Sequence, residues 1–313
     1  MNVVVTGAAG FIGSHLSEAL AREGHRVVGI DAFTDYYDLS LKEENARSAE
    51  AAGAKVLRLD LATDDLAEAI DGAEAIFHLA AQPGLSSRTS FETYVRNNIT
   101  ATQRLLEAIE RARISPRFLN IATSSVYGAH ATDPEDVAPK PTSVYGVTKL
   151  AAEQLVMARH REGQIAACSL RIFSVYGPRE RPDKLYAKLI RATLLDEEIP
   201  VHEGSEAHRR SFSFIGDIVS GLRLAFDRWD AARGEILNIG TDVETTTGEG
   251  LAAVERLTGK RARIVRAPKR PGDQLRTCAN IDKARRLLGY APTTTLDQGL
   301  QAEIDWFRKR LNK

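Results

Sequence analysis

Two residues of the chain have the types and the spacing of an acid–base pair. Tyr145 and Lys149 are four positions apart, so on a helix their side chains share one face. A free tyrosine has a pKa of about 10, which is too high for a general base at neutral pH. Lowering that pKa by ~3 units takes roughly 4 kcal/mol, which a neighbouring ammonium and a second positive charge in a dry pocket can supply. Alone, the pattern is usually a surface tyrosine beside a solvated lysine, so its meaning depends on the elements that position it.

A third polar residue is expected to join this pair. Thr123 follows the apolar run 118–122, which predicts a β-strand. In open α/β sheets ligands bind outside the carboxyl ends of the strands, and Thr123 lies at such an end. The helix of Tyr145 is expected to run to about residue 161. Thr123, Tyr145 and Lys149 are therefore the candidate catalytic residues.

The composition excludes several classes of protein. The chain has 313 residues, 43% of them hydrophobic, which suits one large domain or two intimate ones. Lysine plus arginine (42) balances aspartate plus glutamate (42), so nucleic acid is not an expected partner. The two cysteines, Cys168 and Cys278, have neither zinc-site spacing nor a disulfide framework, and no metal is expected. Without a leader pattern or an apolar stretch near ~20 residues, the expectation is a soluble cytoplasmic protein with no membrane partner.

The first segment has the order of elements that a dinucleotide fingerprint requires. Apolar residues 3–5 precede a turn with Gly7, Gly10 and Gly13, and a helical stripe follows. The glycines let the backbone approach a pyrophosphate at the helix N-terminus, although the spacing also suits a helix-packing turn without ligand. The next strand ends in Asp31, a carboxylate placed to bind ribose hydroxyls and to repel a 2′-phosphate. Together these features predict that the chain binds NAD rather than NADP.

Further cofactor contacts are expected along the same edge. Asp60 and Leu61 follow an apolar run and are placed to meet the adenine, although Asp60 could instead cap the next turn. Ala80 and Ala81 follow a buried strand and can lie against the nicotinamide side. His78, within that strand, is interpreted as a satisfied core histidine.

Strands that alternate with helices predict an α/β fold with a Rossmann-type, doubly wound parallel sheet. Seven strands are expected, the last two near 166–171 and 236–240. We assign residues 1–171 and 212–240 to the NAD-binding Rossmann domain. Residues 172–211 and 241–313 contain no second fingerprint and are assigned to a smaller α/β substrate-binding domain.

A set of motifs spans the chain. Besides the glycine turn and Asp31, they are 78–81, 123–128, 145–149, 171–178, 210–212, 270–273 and 283–290. Through these motifs the chain resembles the extended short-chain dehydrogenase/reductases that modify nucleotide sugars, over essentially its full length. Within that family, residues 31–38, 81–84 and 177–183 are similar to those of UDP-glucuronate 4-epimerases.

The resemblance implies a tightly held NAD, a UDP-sugar substrate and a homodimer paired through the helices that contain Asn98 and Tyr145. The cofactor-binding residues that it implies are Gly7, Gly10, Phe11, Ile12, Gly13, Asp31, Asp60, Leu61, Leu79, Ala80, Ala81, Gln82, Asn98, Tyr145 and Lys149. The substrate-binding residues that it implies are Ser124, Ser125, Ser174, Arg181, Arg210, Arg270 and Asp273. Arg210 and Arg270 should clamp the diphosphate, with a surface ion pair as the alternative for each, and Asp273 should hold the uridine ribose.

The implied reaction is epimerisation at C4 through a 4-keto sugar. The Tyr145 phenolate takes the proton of the 4-hydroxyl, Lys149 sustains the phenolate, and Thr123 hydrogen-bonds the same oxygen. Dehydratases of this branch place Asp-Glu directly after the threonine. Here those positions are Ser124 and Ser125, which favours an epimerase.

The identity of the sugar is less constrained. A glucuronate oxidised at C4 is a β-keto acid that readily loses its carboxylate, so Ser124, Ser125 and Ser174 are expected to restrain it as neutral donors, and Arg181 to tune the outcome. Ser86 replaces the family's usual arginine, and Lys184 replaces the methionine common in the glucuronate enzymes. UDP-glucuronate 4-epimerase is the leading expectation, followed by a UDP-glucose or UDP-N-acetylglucosamine 4-epimerase. The alternatives are a UDP-glucuronate decarboxylase, a sugar dehydratase and an NAD-sensing module.

Overall fold

The computed structural model describes residues 1–84, 89–268 and 276–311. In chain order its strands are β1 (Asn2–Thr6), β2 (Arg26–Asp31), β3 (Lys55–Arg58), β4 (Ala75–His78), β5 (Arg117–Thr123), β6 (His130–Ala131), β7 (Ala166–Ile172), β8 (Val175–Tyr176), β9 (Glu198–His202), β10 (Arg209–Arg210), β11 (Ser213–Phe214), β12 (Ile236–Ile239), β13 (Thr245–Thr246), β14 (Arg263–Ala267) and β15 (Arg276–Thr277). Its helices are α1 (Phe11–Arg22), α2 (Leu39–Ala51), α3 (Ala67–Ile70), α4 (Phe91–Tyr94), α5 (Ala101–Ala112), α6 (Val144–Arg161), α7 (Leu185–Leu195), α8 (Ile215–Asp227), α9 (Trp229–Ala232), α10 (Thr247–Thr258), α11 (Asp282–Leu288) and α12 (Leu296–Leu311). A π-helical turn (Val95–Thr100) joins α4 to α5, and 3₁₀ turns cover Ser124–Tyr127 and Ser205–Ala207.

Seven of the strands form one parallel sheet in the order β12-β7-β5-β4-β1-β2-β3. Val3 of β1 is opposite Val27 of β2 on one side and Ala75 of β4 on the other. The winding of the chain therefore reverses at β1, where a doubly wound sheet opens its ligand crevice. The predicted Rossmann-type sheet and its seven strands are confirmed.

Both faces of this sheet are buried, because alternate side chains of each strand point to opposite sides. In β1, Val3 and Val5 pack in a cluster with Leu16 of α1. Val4 packs in a second cluster with Leu105 of α5. Burial on both faces explains why the predicted strands read as continuous apolar runs.

A separate core forms among α7, α10 and α12, with Tyr186, Leu300 and Ile304 at its centre. Short strand pairs accompany it: β9 pairs with β14, and β10 lies between β13 and β15. Ala284 and Leu288 of α11 pack instead in the core of the main sheet. The predicted division into two domains, with its boundaries, stays a prediction.

The helix that carries Tyr145 ends at Arg161, where the sequence predicts its end. Ser143 is its N-cap, and the Ser143 Oγ accepts a hydrogen bond from the Gly146 N–H at 3.0 Å. Tyr145 and Lys149 therefore lie one turn apart near the start of α6, which packs on β5. The apolar pattern of residues 94–113 also predicts one continuous helix, but the structure interrupts it with the π-helical turn.

Two kinds of feature are absent from the described ranges. No helix there has both the length and the apolar character needed to cross a membrane. No group of three or more histidine, cysteine, aspartate or glutamate side chains there is placed to hold a metal ion.

Candidate active site

A cleft of about 690 Å³ is lined by the turns that follow β1, β2, β4 and β5 and by residues between β8 and α7. The predicted site residues that line it are Gly7, Gly10, Phe11, Ile12, Gly13, Asp31, Asp60, Leu61, Leu79, Ala80, Ala81, Gln82, Thr123, Ser124, Ser125, Tyr145, Lys149, Ser174, Arg181 and Arg210. Asn98 does not line it. Arg270 and Asp273 lie outside the described residues.

The turn after β1 forms a cradle that side chains would fill. Gly7 has a φ of +73°, and a Cβ there would lie 3.0 Å from the Ala80 nitrogen. A Cβ on Gly13 would lie 2.1 Å from the Gly7 carbonyl oxygen. Helix α1 has Gly10 as its N-cap and no side-chain cap, so its positively polarised end meets the cleft. These features fit the pyrophosphate of a dinucleotide.

Asp31 is held at the end of β2 by three donors. Its Oδ2 accepts from the Ala9 N–H at 3.1 Å, and its Oδ1 accepts from the Phe33 N–H at 2.8 Å and from Lys42 Nζ at 3.4 Å. Because a carboxylate accepts about four hydrogen bonds, capacity remains for a ribose hydroxyl. Lys42, a residue that sequence reasoning missed, is only 6% exposed, also donates to Thr34 Oγ1 at 3.2 Å and lines the cleft.

Asp60 is occupied by protein partners. Its Oδ1 accepts from the Ala62 N–H at 2.8 Å, and its Oδ2 pairs with Arg96 at 2.7 Å. This is the turn-capping alternative considered from the sequence. The adenine contact of Asp60 and Leu61 stays a prediction.

The three candidate catalytic side chains meet at the end of β5. The Tyr145 hydroxyl lies beside the Thr123 side chain, close enough for the Thr123 hydroxyl to lower the pKa of the phenol. Thr123 Oγ1 also accepts from the Ser125 N–H at 3.2 Å. Lys149, which is 4% exposed, donates from Nζ to the Ile121 carbonyl oxygen at 2.7 Å. One strand end thus positions all three groups.

Burial governs the protonation of these groups. Burial raises the pKa of Tyr145, whereas the neighbouring Thr123 hydroxyl and the positive charge of Arg181 lower that pKa. Burial lowers the pKa of Lys149 to about 8, and the negative charge of Glu153 opposes this shift. The Lys149 ammonium, expected to lower the pKa of Tyr145, thus donates to a backbone carbonyl oxygen instead. The positive charge that lowers the pKa of Tyr145 comes from the Arg181 guanidinium. The protein groups alone favour the neutral phenol, so a phenolate needs a further positive charge beside the ring.

Asn98 lies behind the cleft wall. Its Oδ1 accepts from the Gln82 N–H at 2.7 Å, and its Nδ2 donates to Thr148 Oγ1 at 2.9 Å. Thr148 donates in turn to the Val144 carbonyl oxygen at 2.9 Å. Asn98 therefore ties the loop after β4 to the first turn of α6, next to Tyr145. Its predicted contact with a cofactor stays a prediction.

His78 is a satisfied core histidine, as interpreted from the sequence. Its Nδ1 lies 2.9 Å from Thr6 Oγ1, and its Nε2 lies 2.8 Å from Thr102 Oγ1. Because Thr102 donates its own proton to the Asn98 carbonyl oxygen, it accepts from His78, which places the ring proton on Nε2. Burial lowers the pKa of His78 to about 3, so the ring is neutral.

The other end of the cleft is organised around Arg181. Its Nε and Nη2 donate to the two carboxylate oxygens of Asp183 at 3.0 and 2.8 Å. Its guanidinium carbon lies 5.6 Å from the ring centroid of Tyr36, which sequence reasoning also missed. Gly84 leaves room for it, since a Cβ on Gly84 would lie 3.0 Å from Arg181 Nη2.

Hydroxyl and cationic groups complete this end. The hydroxyl-bearing residues are Ser124, Ser125 and Ser174, and the further cationic residues are Lys184, Lys188 and Arg210. Such cations complement a diphosphate, and hydroxyls suit the oxygens of a sugar.

Known proteins are similar to this chain over its whole length. The model of the NAD dependent epimerase/dehydratase family matches residues 3–240. The UDP-glucuronic acid 4-epimerase from Bacillus cereus, solved in complex with UDP-glucuronic acid and NAD, is 38% identical and has a TM-score of 0.93, covering 99% of this chain and 100% of its own. YtcB of Bacillus subtilis (strain 168), named an uncharacterized UDP-glucose epimerase, is 38% identical over 309 residues, 97% of each chain. UDP-glucuronate 4-epimerase 3 of Arabidopsis thaliana is 34% identical over 328 residues, 98% of this chain and 76% of its own.

Proposed function

Because the chain belongs to the NAD dependent epimerase/dehydratase family, we propose that it is an NAD-dependent enzyme that interconverts UDP-glucuronate and UDP-galacturonate by epimerisation at C4. The observation that carries the proposal is that Tyr145, Thr123 and Lys149 line one cleft together, with the Tyr145 hydroxyl beside Thr123, next to a cradle that fits a dinucleotide. Reversible oxidation of an alcohol needs such an acid–base group next to the hydride acceptor.

The residues of the chain handle the proton. Bound NAD supplies the hydride acceptor and donor for C4 of the sugar. Tyr145 accepts the proton of the 4-hydroxyl and later returns it, and Thr123 contacts the same oxygen. Lys149 and Asp31 would hold the two riboses of the cofactor. Between the two half-reactions the flat 4-keto sugar turns its other face to the cofactor, within a cleft of about 690 Å³.

The groups beside Thr123 favour epimerisation over elimination. Ser124 and Ser125 occupy the positions at which a dehydratase needs an acid and a base, and a serine hydroxyl is a poor substitute for either. Together with Ser174 they are neutral hydrogen-bond donors. Such donors can hold the sugar carboxylate in place without promoting its loss as carbon dioxide from the 4-keto intermediate.

A UDP-glucose 4-epimerase is the second candidate. Arg181 donates two hydrogen bonds to Asp183, so much of its charge is already neutralised within the protein. A sugar with a neutral hydroxymethyl group can therefore bind beside Arg181 and Asp183 as well as one with a carboxylate. The name of the Bacillus subtilis relative points the same way.

The test is to incubate the purified protein with UDP-glucuronate and, separately, with UDP-glucose, and to follow the products by NMR. UDP-galacturonate supports the leading proposal, and UDP-galactose supports the second candidate. A UDP-pentose identifies a decarboxylase, and a 4-keto-6-deoxy sugar a dehydratase. A protein that binds NAD but turns over no UDP-sugar contradicts the enzyme proposals.

The role of Tyr145 is tested by Tyr145→Phe. General acid–base catalysis contributes roughly 10²- to 10⁴-fold, so we expect a loss of that size in kcat with cofactor binding retained. Tyr290→Phe is the matched control, because Tyr290 is a buried tyrosine outside the cleft. Near-normal turnover by Tyr145→Phe would show that another group takes the proton.

We further propose a homodimer paired through α4, α5 and α6. Three apolar side chains on α4 and α6 are exposed: Phe91 (58%), Val147 (50%) and Val144 (42%). Light scattering after size exclusion should give twice the monomer mass of 34.3 kDa. Val147→Glu should shift that mass to the monomer, whereas the same change at the exposed Val243, on another part of the surface, should not.

A further inference from the structure

The segment between β8 and α7, residues 177–184, carries Arg181 into the cleft; we name it the recognition loop. Two contacts hold this loop in place, and the first is an ion pair with helix α1. Arg179 Nη1 lies 2.5 Å from Glu18 Oε1 and 3.3 Å from Ser14 Oγ. This contact joins the loop to α1, which packs on the main sheet.

The second contact lies between two buried carboxyl groups, one on the recognition loop and one on α12. Glu180 of the recognition loop is 4% exposed, Glu303 of α12 is fully buried, and their carboxyl groups lie within hydrogen-bonding reach of each other. Glu180 also accepts from the Ala187 N–H at 3.2 Å. Apart from this carboxyl neighbour, no donor within the described ranges meets hydrogen-bond geometry at either Glu303 oxygen.

A hydrogen bond between two carboxyl groups requires a proton on one of them, since carboxylates have no donor. The surroundings favour that proton. Glu303 lies in the apolar core of α7, α10 and α12, between Leu300 and Ile304. Two ionised carboxylates in contact there would repel each other with little screening.

The charged and titratable groups that face the pair are Lys184 and Arg181 from the recognition loop, Tyr176 and Tyr186 from the apolar core, Asp217 and Asp297 beyond Tyr176, and Glu249 beyond Tyr186. The two cations lower the pKa of Glu180, but burial outweighs them and raises it to about 8. Burial and the neighbouring Glu180 raise the pKa of Glu303 well above its usual range. At neutral pH the pair therefore keeps a proton.

We propose that Glu180 and Glu303 are positioning residues: by sharing one proton they hold the recognition loop against α12 and keep Arg181 beside Tyr145 and the sugar. The inference rests on the proposed function, because it takes Arg181 to contact a nucleotide sugar. When the shared proton leaves, the two carboxylates repel each other, and the contact between the loop and α12 is lost. Substrate binding should then weaken more than the chemical step.

The kinetic test uses Glu303→Gln, which replaces the shared proton by a permanent amide donor. We expect the wild-type KM for UDP-glucuronate to rise about tenfold between pH 7 and 9.5, with a smaller change in kcat. The KM of Glu303→Gln should stay within about twofold over the same range, because its donor does not titrate. Asp305→Asn, on the exposed side of α12, is the matched control and should follow the wild type. An unchanged pH dependence of KM in Glu303→Gln would overturn the proposal.

A second readout needs no substrate. The folded pair binds a proton that the unfolded chain releases above about pH 4.5, so wild-type stability should fall as the pH rises from there to about 8. Glu303→Gln lacks this dependence, and its Tm should exceed that of the wild type above pH 8 by more than it does at pH 5. A constant difference in Tm between the two proteins at every pH would contradict the shared proton.

The two readouts separate the two claims. If the difference in Tm changes with pH as expected but no UDP-sugar is turned over, the proposed function fails and the carboxyl pair stands. If Glu303→Gln does not fold, Glu180→Gln tests the same pair from the loop side. If neither variant folds, the infrared C=O band of a protonated carboxyl in the wild type decides: the proposal requires it at pH 7 and requires its loss above pH 9.

Discussion

The two ends of the cleft are built in different ways. At the cofactor end the backbone makes the site: Gly7 and Gly13 leave a cradle, and the start of α1 supplies polarised N–H groups. At the sugar end side chains from distant segments make it, with Arg181 placed by Asp183 and Gly84. The first end is specified by spacing along a short stretch, and the second by contacts across the fold. Substitutions at the cofactor end should therefore weaken cofactor binding. Substitutions at the sugar end should weaken substrate binding alone.

Among the changes that test this difference between the two ends, the largest effect is expected from Gly13→Ala. The new Cβ would lie 2.1 Å from the Gly7 carbonyl oxygen, so the cradle must open. Overpacking costs about 1–3 kcal/mol, and we expect NAD to bind roughly 100-fold more weakly by calorimetry on apo-protein. The control is Gly248→Ala in α10, where a Cβ meets only ordinary contacts at 3.4 Å and beyond. Normal NAD affinity in Gly13→Ala would remove the distinction between the two ends.

A smaller effect, confined to the sugar end, is expected from Gly84→Ala. Its φ of +72° strains any other residue, by roughly 1–2 kcal/mol, and the new Cβ would press on Arg181 Nη2. We expect KM for the UDP-sugar to rise about tenfold while NAD affinity stays unchanged. If NAD affinity fell in parallel, the two ends would not be independent.

The smallest effect concerns Lys42, whose charge offsets that of Asp31. In Lys42→Met the carboxylate should repel a 2′-phosphate more strongly, so NADP binding should weaken about threefold relative to NAD. Lys55→Met, at an exposed lysine of β3, is the control. An unchanged NAD-to-NADP ratio would show that Lys42 has no part in choosing the cofactor.

Most of the fold and the cofactor end could be predicted because their signals are local. The seven strands are short apolar runs, and the glycine turn and Asp31 follow their strands directly. The helix of Tyr145 ends at Arg161, where the sequence places its end. Such features depend on residues a few positions apart, so a single sequence displays them.

The residues that were missed depend on tertiary contacts. Lys42 is typical of a solvated helix face by sequence, yet it is buried against Asp31. Asn98, whose contact with the cofactor stays a prediction, is likewise placed by distant partners, the Gln82 N–H and the Thr148 hydroxyl.

The signals that could have found the missed groups are weak. Glu303 interrupts the apolar stripe of Leu300, Ile304 and Phe307 on α12, but its acidic partner lies 123 positions earlier in the chain, at Glu180. The π-helical turn at Val95–Thr100 has no sequence signal that distinguishes it from the α-helix predicted there.

One carbon atom, C4 of the sugar, should lose and regain the same hydride within this cleft. The most direct measurement is to supply UDP-glucuronate deuterated at C4 in ordinary water and to read the label in the product by NMR and mass spectrometry. Oxidation and reduction in one site predict UDP-galacturonate that keeps its deuterium at C4. Epimerised product that has lost the label to water would contradict the mechanism.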